Sequence, residues 1–347
     1  MIDIMSFSEE ECINYTLLKN QPSYRGKQLY GWLRKGISSF EEIKNLPKTF
    51  IDEIKAECFL AICTPVRLQI SADGTRKYLF SLTDGETVES VFMKYRHGNT
   101  ACISTQAGCR MGCTFCASTV GGLKRNLYPS EMLSQITEIQ KDTGERISNI
   151  VLMGMGEPLD NYDNVIKFLH LVNDSQGLNI GYRHISLSTC GIIENINRLA
   201  EEGLPITLSV SLHAPNGEIR KQIMPIAKKY DYDSLLDACK AYADKTKRRI
   251  SYEYALIAGI NDRPEDAYEL GNRLKGSLCH INLIPLNKTD RKIYKTSEKS
   301  HIESFKNILE SYKITVTVRR SLGSDISAAC GQLRSQHLNQ NGENSGF

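Results

Sequence analysis

The chain of 347 residues carries almost no net charge, with 43 Lys and Arg against 40 Asp and Glu, a balance of +3. Near-neutrality argues against a strongly basic nucleic-acid coat, but a local basic patch is compatible with it. Long apolar runs are also missing. The longest stretch free of Asp, Glu, Lys and Arg, residues 203–217, is too short and too polar to span a bilayer. The opening MIDIMSFSEEEC has neither the basic start nor the apolar run of a secretory signal. A cytoplasmic protein with no membrane partner is therefore expected. What is present is an ordinary globular composition, 41% hydrophobic and 24% charged, which argues against wholesale disorder or a fibrous architecture. The length suits one large domain of about 200–250 residues plus a smaller one, or two ordinary domains. There are 11 cysteines. In a reducing compartment they are not a disulfide scaffold, and the odd count alone prevents complete intramolecular pairing. Metal ligation, catalysis or burial must account for them.

Residues 1–60 read as short helices, with Pro47 interrupting the apolar periodicity. Residues 61–98 change to alternating runs around Asp73-Gly74 and Asp84-Gly85, the signal of hairpins and of a small antiparallel sheet. From residue 99 to 334 the pattern is regular. Candidate strands at 101–106, 149–155, 184–189, 206–213, 249–257, 280–286 and 314–320 alternate with helical segments at 130–142, 161–173, 192–202, 232–246, 264–275 and 298–312. Such α/β repetition implies a parallel sheet, either doubly wound or curled into a barrel. The tail 335–347 has almost nothing to bury and is expected to be disordered.

Cys109, Cys113 and Cys116 lie in GCRMGCTFCAS, soon after a predicted strand. Three thiolates on one loop can hold three irons of a [4Fe-4S] cube and leave the fourth without a protein ligand. A structural zinc site wants four ligands, commonly in two pairs, and no second pair is nearby. Further polar motifs fall at the ends of predicted strands: Gly154-Met155-Gly156-Glu157-Pro158, Ser188-Thr189-Cys190-Gly191, Ser211-Leu212-His213 and Pro285-Leu286-Asn287. Each alone has a plain structural reading as a turn, a buried hydroxyl, a core histidine or a cap. Together, at the end of a barrel where active sites assemble, they point to one mouth. Cys330, in ISAACGQL, stands among small residues that leave a thiol approachable, and Cys102 precedes the cysteine loop. Cys12, Cys58, Cys63, Cys239 and Cys279 read as buried small hydrophobes.

The CxxxCxxC loop resembles the signature of radical S-adenosylmethionine (radical-SAM) enzymes. The set CISTQAGCRMGCTFCAST, GGLKRNL, MGMGEPLDN, SLHAPN, INLIPLN and AACGQLR resembles the RlmN family within that superfamily, over about residues 20–334. The resemblance implies a partial (β/α) barrel with an N-terminal helical accessory unit for RNA binding. It implies methylation of carbon 2 of adenosine in 23S rRNA (A2503, in the peptidyl-transferase centre) and in tRNA (A37). It implies one [4Fe-4S] cluster on Cys109, Cys113 and Cys116, two SAM molecules per turnover, and an electron donor such as a flavodoxin or ferredoxin system. Gly156, Glu157, Ser188, Ser211, Leu212, His213 and Asn287 are then the SAM contacts. Cys330 is the cysteine that becomes methylated, Cys102 the partner that resolves the adduct through a transient disulfide, and Glu89 the proton acceptor. Two positions depart from the family pattern: Cys190 where serine is frequent, and Ser327 where aspartate is common. The rivals are the related carbon-8 methyltransferases, from which Pro158 and the CTFCAST context separate this chain, and a zinc-stabilised RNA-binding protein. Phosphate contacts are sought in Lys124-Arg125, Arg220-Lys221, Lys228-Lys229, Lys245 with Lys247-Arg248-Arg249, and Arg319-Arg320.

Overall fold

The computed structural model describes residues 1–286, 294–320, 322–323, 325–326 and 333. Asn287, Ser327, Cys330 and the tail 335–347 lie outside the described residues.

The chain opens with β1 (Ile2–Asp3) and three helices, α1 (Glu9–Leu18), α2 (Ser23–Arg34) and α3 (Lys48–Glu57), and returns in β2 (Cys58–Phe59), which pairs with β1. Ser8 caps α1 in a reciprocal box with Glu11, while Pro22 and Pro47, each with extended backbone, start the next two helices. Pro47 therefore begins a helix rather than interrupting one. These helices enclose a core of their own, with Ile4, Leu29, Tyr30, Phe50 and Ile54 wholly buried.

A meander follows: β3 (Thr64–Ile70), β4 (Arg76–Ser81), β5 (Thr87–Tyr95) and β6 (Gly98–Cys102). Gly74 and Gly85 sit at φ +83° and +87°, so the two Asp-Gly pairs form the turns their chemistry predicts. The register pairs Leu79 with Glu89 and Val91 with Cys102. The expected 101–106 strand is split. β6 ends at Cys102, and Gln106–Gly108 (β7) pairs instead with Leu123–Asn126 (β8), enclosing the cysteine loop.

Then come α4 (Pro129–Thr143), β9 (Asn149–Leu152), α5 (Tyr162–Asn173), β10 (Ile185–Thr189), α6 (Ile193–Glu201), β11 (Thr207–Ser211), α7 (Gly217–Ile223), α8 (Tyr232–Thr246), β12 (Ile250–Leu256), α9 (Pro264–Leu274), β13 (Cys279–Pro285), α10 (Lys299–Ser311) and β14 (Thr315–Val318). The meander is not a separate sheet. One ten-stranded sheet runs β3-β4-β5-β6-β9-β10-β11-β12-β13-β14, antiparallel as far as β6 and parallel beyond it, and among the described residues it does not close on itself. This is an open, partial (β/α) barrel.

The barrel strands alternate in character. Ile185, Leu187, Leu208, Val210, Ile250, Tyr252, Ile281 and Leu283 belong to the main hydrophobic core. Their neighbours Ser186, Ser188, Thr207, Ser209, Ser211, Ser251, Glu253, His280 and Asn282 line cavities. Closed barrels fill their interiors with branched apolar side chains. This one places polar strand side chains among apolar ones around its lumen and leaves open space there for ligands.

Candidate active site

The cysteine loop leaves β7 through Gly108, whose φ of +82° favours glycine and whose added Cβ would lie 2.0 Å from the Gly122 carbonyl oxygen. That close crossing lets the Cys109 amide donate to the same oxygen at 3.1 Å. Farther round, the Thr114 amide donates to Ile223 O at 3.0 Å, the Tyr294 hydroxyl donates to Thr114 Oγ1 at 2.8 Å, and Arg110 Nε donates to Asp160 at 2.9 Å. The thiols of Cys109, Cys113 and Cys116 line one cavity of about 350 Å³. Burial, then the neighbouring cysteine, pushes the Cys113 thiol up, and burial pushes Cys109 up to about 12. A bound metal would be needed to draw off those protons.

Among the described residues no three His, Cys, Asp or Glu side chains converge on a single ion. A [4Fe-4S] cube takes each thiolate on a different iron, and three soft sulfur donors around one cavity fit that demand.

The facing wall comes from the ends of β9, β10 and β11. A Cβ at Gly154 would lie 2.6 Å from Ile103 O, and one at Gly156, φ +102°, would lie 2.6 Å from Gln106 Cβ. Glu157 is buried, its amide donating to Gln106 Oε1 at 2.8 Å. Its carboxylate accepts from the Cys190 amide at 2.6 Å and from the Leu159 amide at 3.0 Å. Burial raises its pKa, and those hydrogen bonds oppose the rise. Ser188, Ser211 and His213 line the same cavity, whereas the Leu212 side chain is wholly buried away from it. His213 adopts a left-handed φ of +54°. Its Nδ1 accepts from the Ala255 amide at 2.9 Å, so a neutral ring carries its proton on Nε2. Burial, and then Arg220, push its pKa down to about 3. Phe115 of the cysteine loop meets the ring edge-on, with centroids 4.9 Å apart.

Cys102 lines this cavity too, packed with Val91 and Met93. Glu89 lies two residues before Val91 on the same face of β5, outside the cavity wall, with its carboxylate 3.0 Å from Lys77 Nζ. Both partners are buried, at 3% and 0% exposure. The segment leading towards Cys330 is fastened to the β3–β4 turn: Asp73 accepts from the Gly323 amide at 2.9 Å, and Asp325 accepts from the Ala72 amide at 3.0 Å.

Two basic residues expected to face RNA do other work. Arg220 is wholly buried, and Arg125 is held by Asp84 and Glu131. A second cavity of about 660 Å³ lies at the opposite end of the strands, where Arg183, Lys247, Arg248 and Arg249 join Thr207 and Ser251 in its wall. It shares Met93, Tyr95, Met153, Glu253 and Arg319 with the first. Sequence reasoning did not single out Phe115, Met153 or Glu253. Of these only Glu253 left a signal, as the one charge inside strand β12.

The description "Radical SAM superfamily" fits residues 103–271. A "Probable dual-specificity RNA methyltransferase RlmN" of Clostridium tetani is 51% identical over 342 residues, covering 98% of each chain. Its namesake in Alkaliphilus oremlandii is 54% identical over 338 residues, covering 97% of this chain and 98% of its own. The chain belongs to the RlmN family. A crystal structure of a radical SAM methyltransferase from Sphaerobacter thermophilus superposes with a TM-score of 0.90 at 38% identity, covering 96% of this chain and 99% of that one. RlmN membership brings with it a [4Fe-4S] cluster and SAM, and the thiol-lined cavity is where this chain has the donors for them. Among the described residues no helix is long and apolar enough to cross a membrane.

Proposed function

We propose that this chain methylates carbon 2 of adenosine in 23S rRNA and in tRNA, with Cys330 as carrier of the carbon and Cys102 as the thiol that releases it. The observation that carries this reading is the shared cavity. One space is lined by the three thiols of the cysteine loop and also by Cys102, so cluster chemistry and thiol chemistry can act on one substrate atom.

Carbon 2 of adenine lies between two ring nitrogens and is electron-poor, so it does not attack the methyl of SAM as an amine would. A carbon radical adds to such a ring. Bound by Cys109, Cys113 and Cys116, the cluster supplies the electron that opens SAM to a radical able to take hydrogen from a methyl group. The chain supplies the rest. Cys330 takes a methyl group from one SAM by displacement and, after losing a hydrogen from it to a second, bonds through that carbon to the adenine. Glu89 would remove the carbon-2 proton, for which it must part from Lys77, and the adduct's unpaired electron would return to the redox system that supplied it, leaving a closed-shell thioether. The Cys102 thiolate would attack the Cys330 sulfur, so that a disulfide forms as the carbon–sulfur bond breaks and the departing methylene takes up a proton to become the methyl group; a reductant restores both thiols. His213, neutral at physiological pH, adds no second positive charge beside a sulfonium and offers an Nε2–H donor. Gly156, Glu157, Ser188, Ser211 and Asn287 are the remaining proposed SAM contacts, and Leu212 could join them only through its backbone. The arginine- and lysine-lined cavity at the far end of the strands suits RNA phosphates, and a flavodoxin or ferredoxin system suits the electron supply.

The test is covalent. Cys102→Ala should accumulate protein linked to RNA, detected as a band that nuclease digestion collapses. Finding only free protein and free RNA, while the parent yields 2-methyladenosine by mass spectrometry, would refute the assignment.

A further inference from the structure

Arg220 heads the wholly buried side chains by volume, and the reading above gives it no task. It projects from α7 behind the ends of β10 and β11. Its Nη2 donates to Cys190 O at 2.6 Å and to Ser211 O at 3.2 Å. Nε and Nη1 find no hydrogen-bond partner among the described residues, and no carboxylate there stands within ion-pair distance of it. Glu157 approaches only indirectly, by accepting from the Cys190 amide while Arg220 holds the Cys190 carbonyl. A guanidinium stays charged even when buried, and a buried charge without an anion is costly.

Such a charge is tolerable where an anion belongs. Cys190, whose carbonyl Arg220 holds, lines the thiol cavity and packs in one cluster with Cys109 and Cys113, so the guanidinium stands directly behind the cysteine loop's cavity. The three loop thiols, once metal-bound, are thiolates, and nothing else along the described cavity wall supplies that much negative charge beside the arginine.

We propose that Arg220 is a positioning residue whose buried positive charge offsets the thiolate-bound cluster and raises its reduction potential. Reduction transfers one electron from a low-potential donor of the flavodoxin or ferredoxin class to the cluster and adds one negative charge to it. A fixed cation nearby stabilises that product more than the reactant. No bond to Arg220 forms or breaks. The proposal rests on Cys109, Cys113 and Cys116 holding an iron-sulfur cluster, and a reconstituted parent protein without iron and sulfide would fail that premise separately.

The experiment is a potential titration followed by electron paramagnetic resonance on full-length parent, Arg220→Lys and Arg220→Gln, each reconstituted without oxygen. Arg220→Gln keeps a donor for the two carbonyls and loses the charge, and should disfavour reduction at least tenfold, about 59 mV for one electron. Arg220→Lys keeps the charge and should stay within about threefold of the parent. An unchanged potential in Arg220→Gln, or equal shifts in both variants, overturns the proposal, because a purely structural fork predicts those results. If Arg220→Gln retains too little iron to titrate, iron content decides: loading of Arg220→Lys alone supports the charge requirement, and failure of both overturns it.

Discussion

Gly108→Ala measures how far cluster loading depends on one backbone crossing. A Cβ at this position would stand 2.0 Å from the Gly122 carbonyl oxygen, against about 3.3 Å for the closest comfortable carbon-oxygen approach, so β7 and β8 must part by roughly 1.3 Å. That movement breaks the 3.1 Å bond from the Cys109 amide to the same oxygen, worth about 1 kcal/mol, and the forced repacking adds about 1–2 kcal/mol. The left-handed φ of +82° costs an alanine another ~1–2 kcal/mol. The total is about 3–5 kcal/mol. Gly121→Ala is the internal control, because Gly121 has nearly the same φ, +83°, with nothing within 4 Å of its added Cβ, and should cost only the ~1–2 kcal/mol of dihedral strain. β7 and β8 form a two-stranded sheet of their own, so the hairpin can open without unfolding the barrel. The damage should appear first in iron and sulfide retained per chain after anaerobic reconstitution, and only partly in the urea midpoint. Gly108→Ala should load poorly and Gly121→Ala nearly normally. Equal loading of the two would refute the crossing argument.

Two further outcomes follow from buried ionisable groups. The pKa of His213 falls from the usual 6.5 to about 3 on folding. The unfolded chain therefore binds a proton that the folded chain refuses, and stability is complete above pH 6.5 and declines as pH falls towards 3, by about 1.4 kcal/mol per pH unit where the proton difference is complete. His213→Gln should flatten the acid limb of a urea-stability profile by that slope, and parallel profiles would count against the neutral ring. Lys77→Met removes the ammonium 3.0 Å from the buried Glu89 carboxylate and should cost about 3–5 kcal/mol in urea unfolding, whereas Lys77→Met with Glu89→Leu should recover most of the loss. Additive losses in that cycle would deny the coupling.

Much of the architecture was legible in the sequence because its signals are local. The helix pattern at 232–246 coincides with α8, and those at 161–173 and 298–312 agree with α5 and α10 within a residue at either end. The Asp-Gly pairs marked two of the meander's three turns. Less legible was everything set by packing between distant segments. The break after Cys102 comes from Ile103 meeting Gly154, a contact written in no run of neighbouring residues. The site was legible where motifs carry it, as in the cysteine loop and the strand-end clusters. It was illegible where environment assigns the role: Arg220 reads as half of a basic pair and is buried, and Glu89, expected as a proton acceptor, is ion-paired beneath the surface. Charge type can be read from a sequence, but the dielectric around it cannot.

The shared ladder β4-β5-β6-β9 limits how this protein can change length. Val91 lies opposite Cys102, Leu79 opposite Glu89, and Cys102 opposite Val151. Deleting one residue between Glu89 and Val91 would turn Glu89 to the helix-covered side while Cys102 stayed facing the lumen. Inserting two would restore the face but carry the carboxylate about 7 Å along the strand. Length variation in this region should therefore be confined to the turns at 71–75, 82–86 and 96–97, and a library of random insertions would map the strands between them as blocks of intolerance.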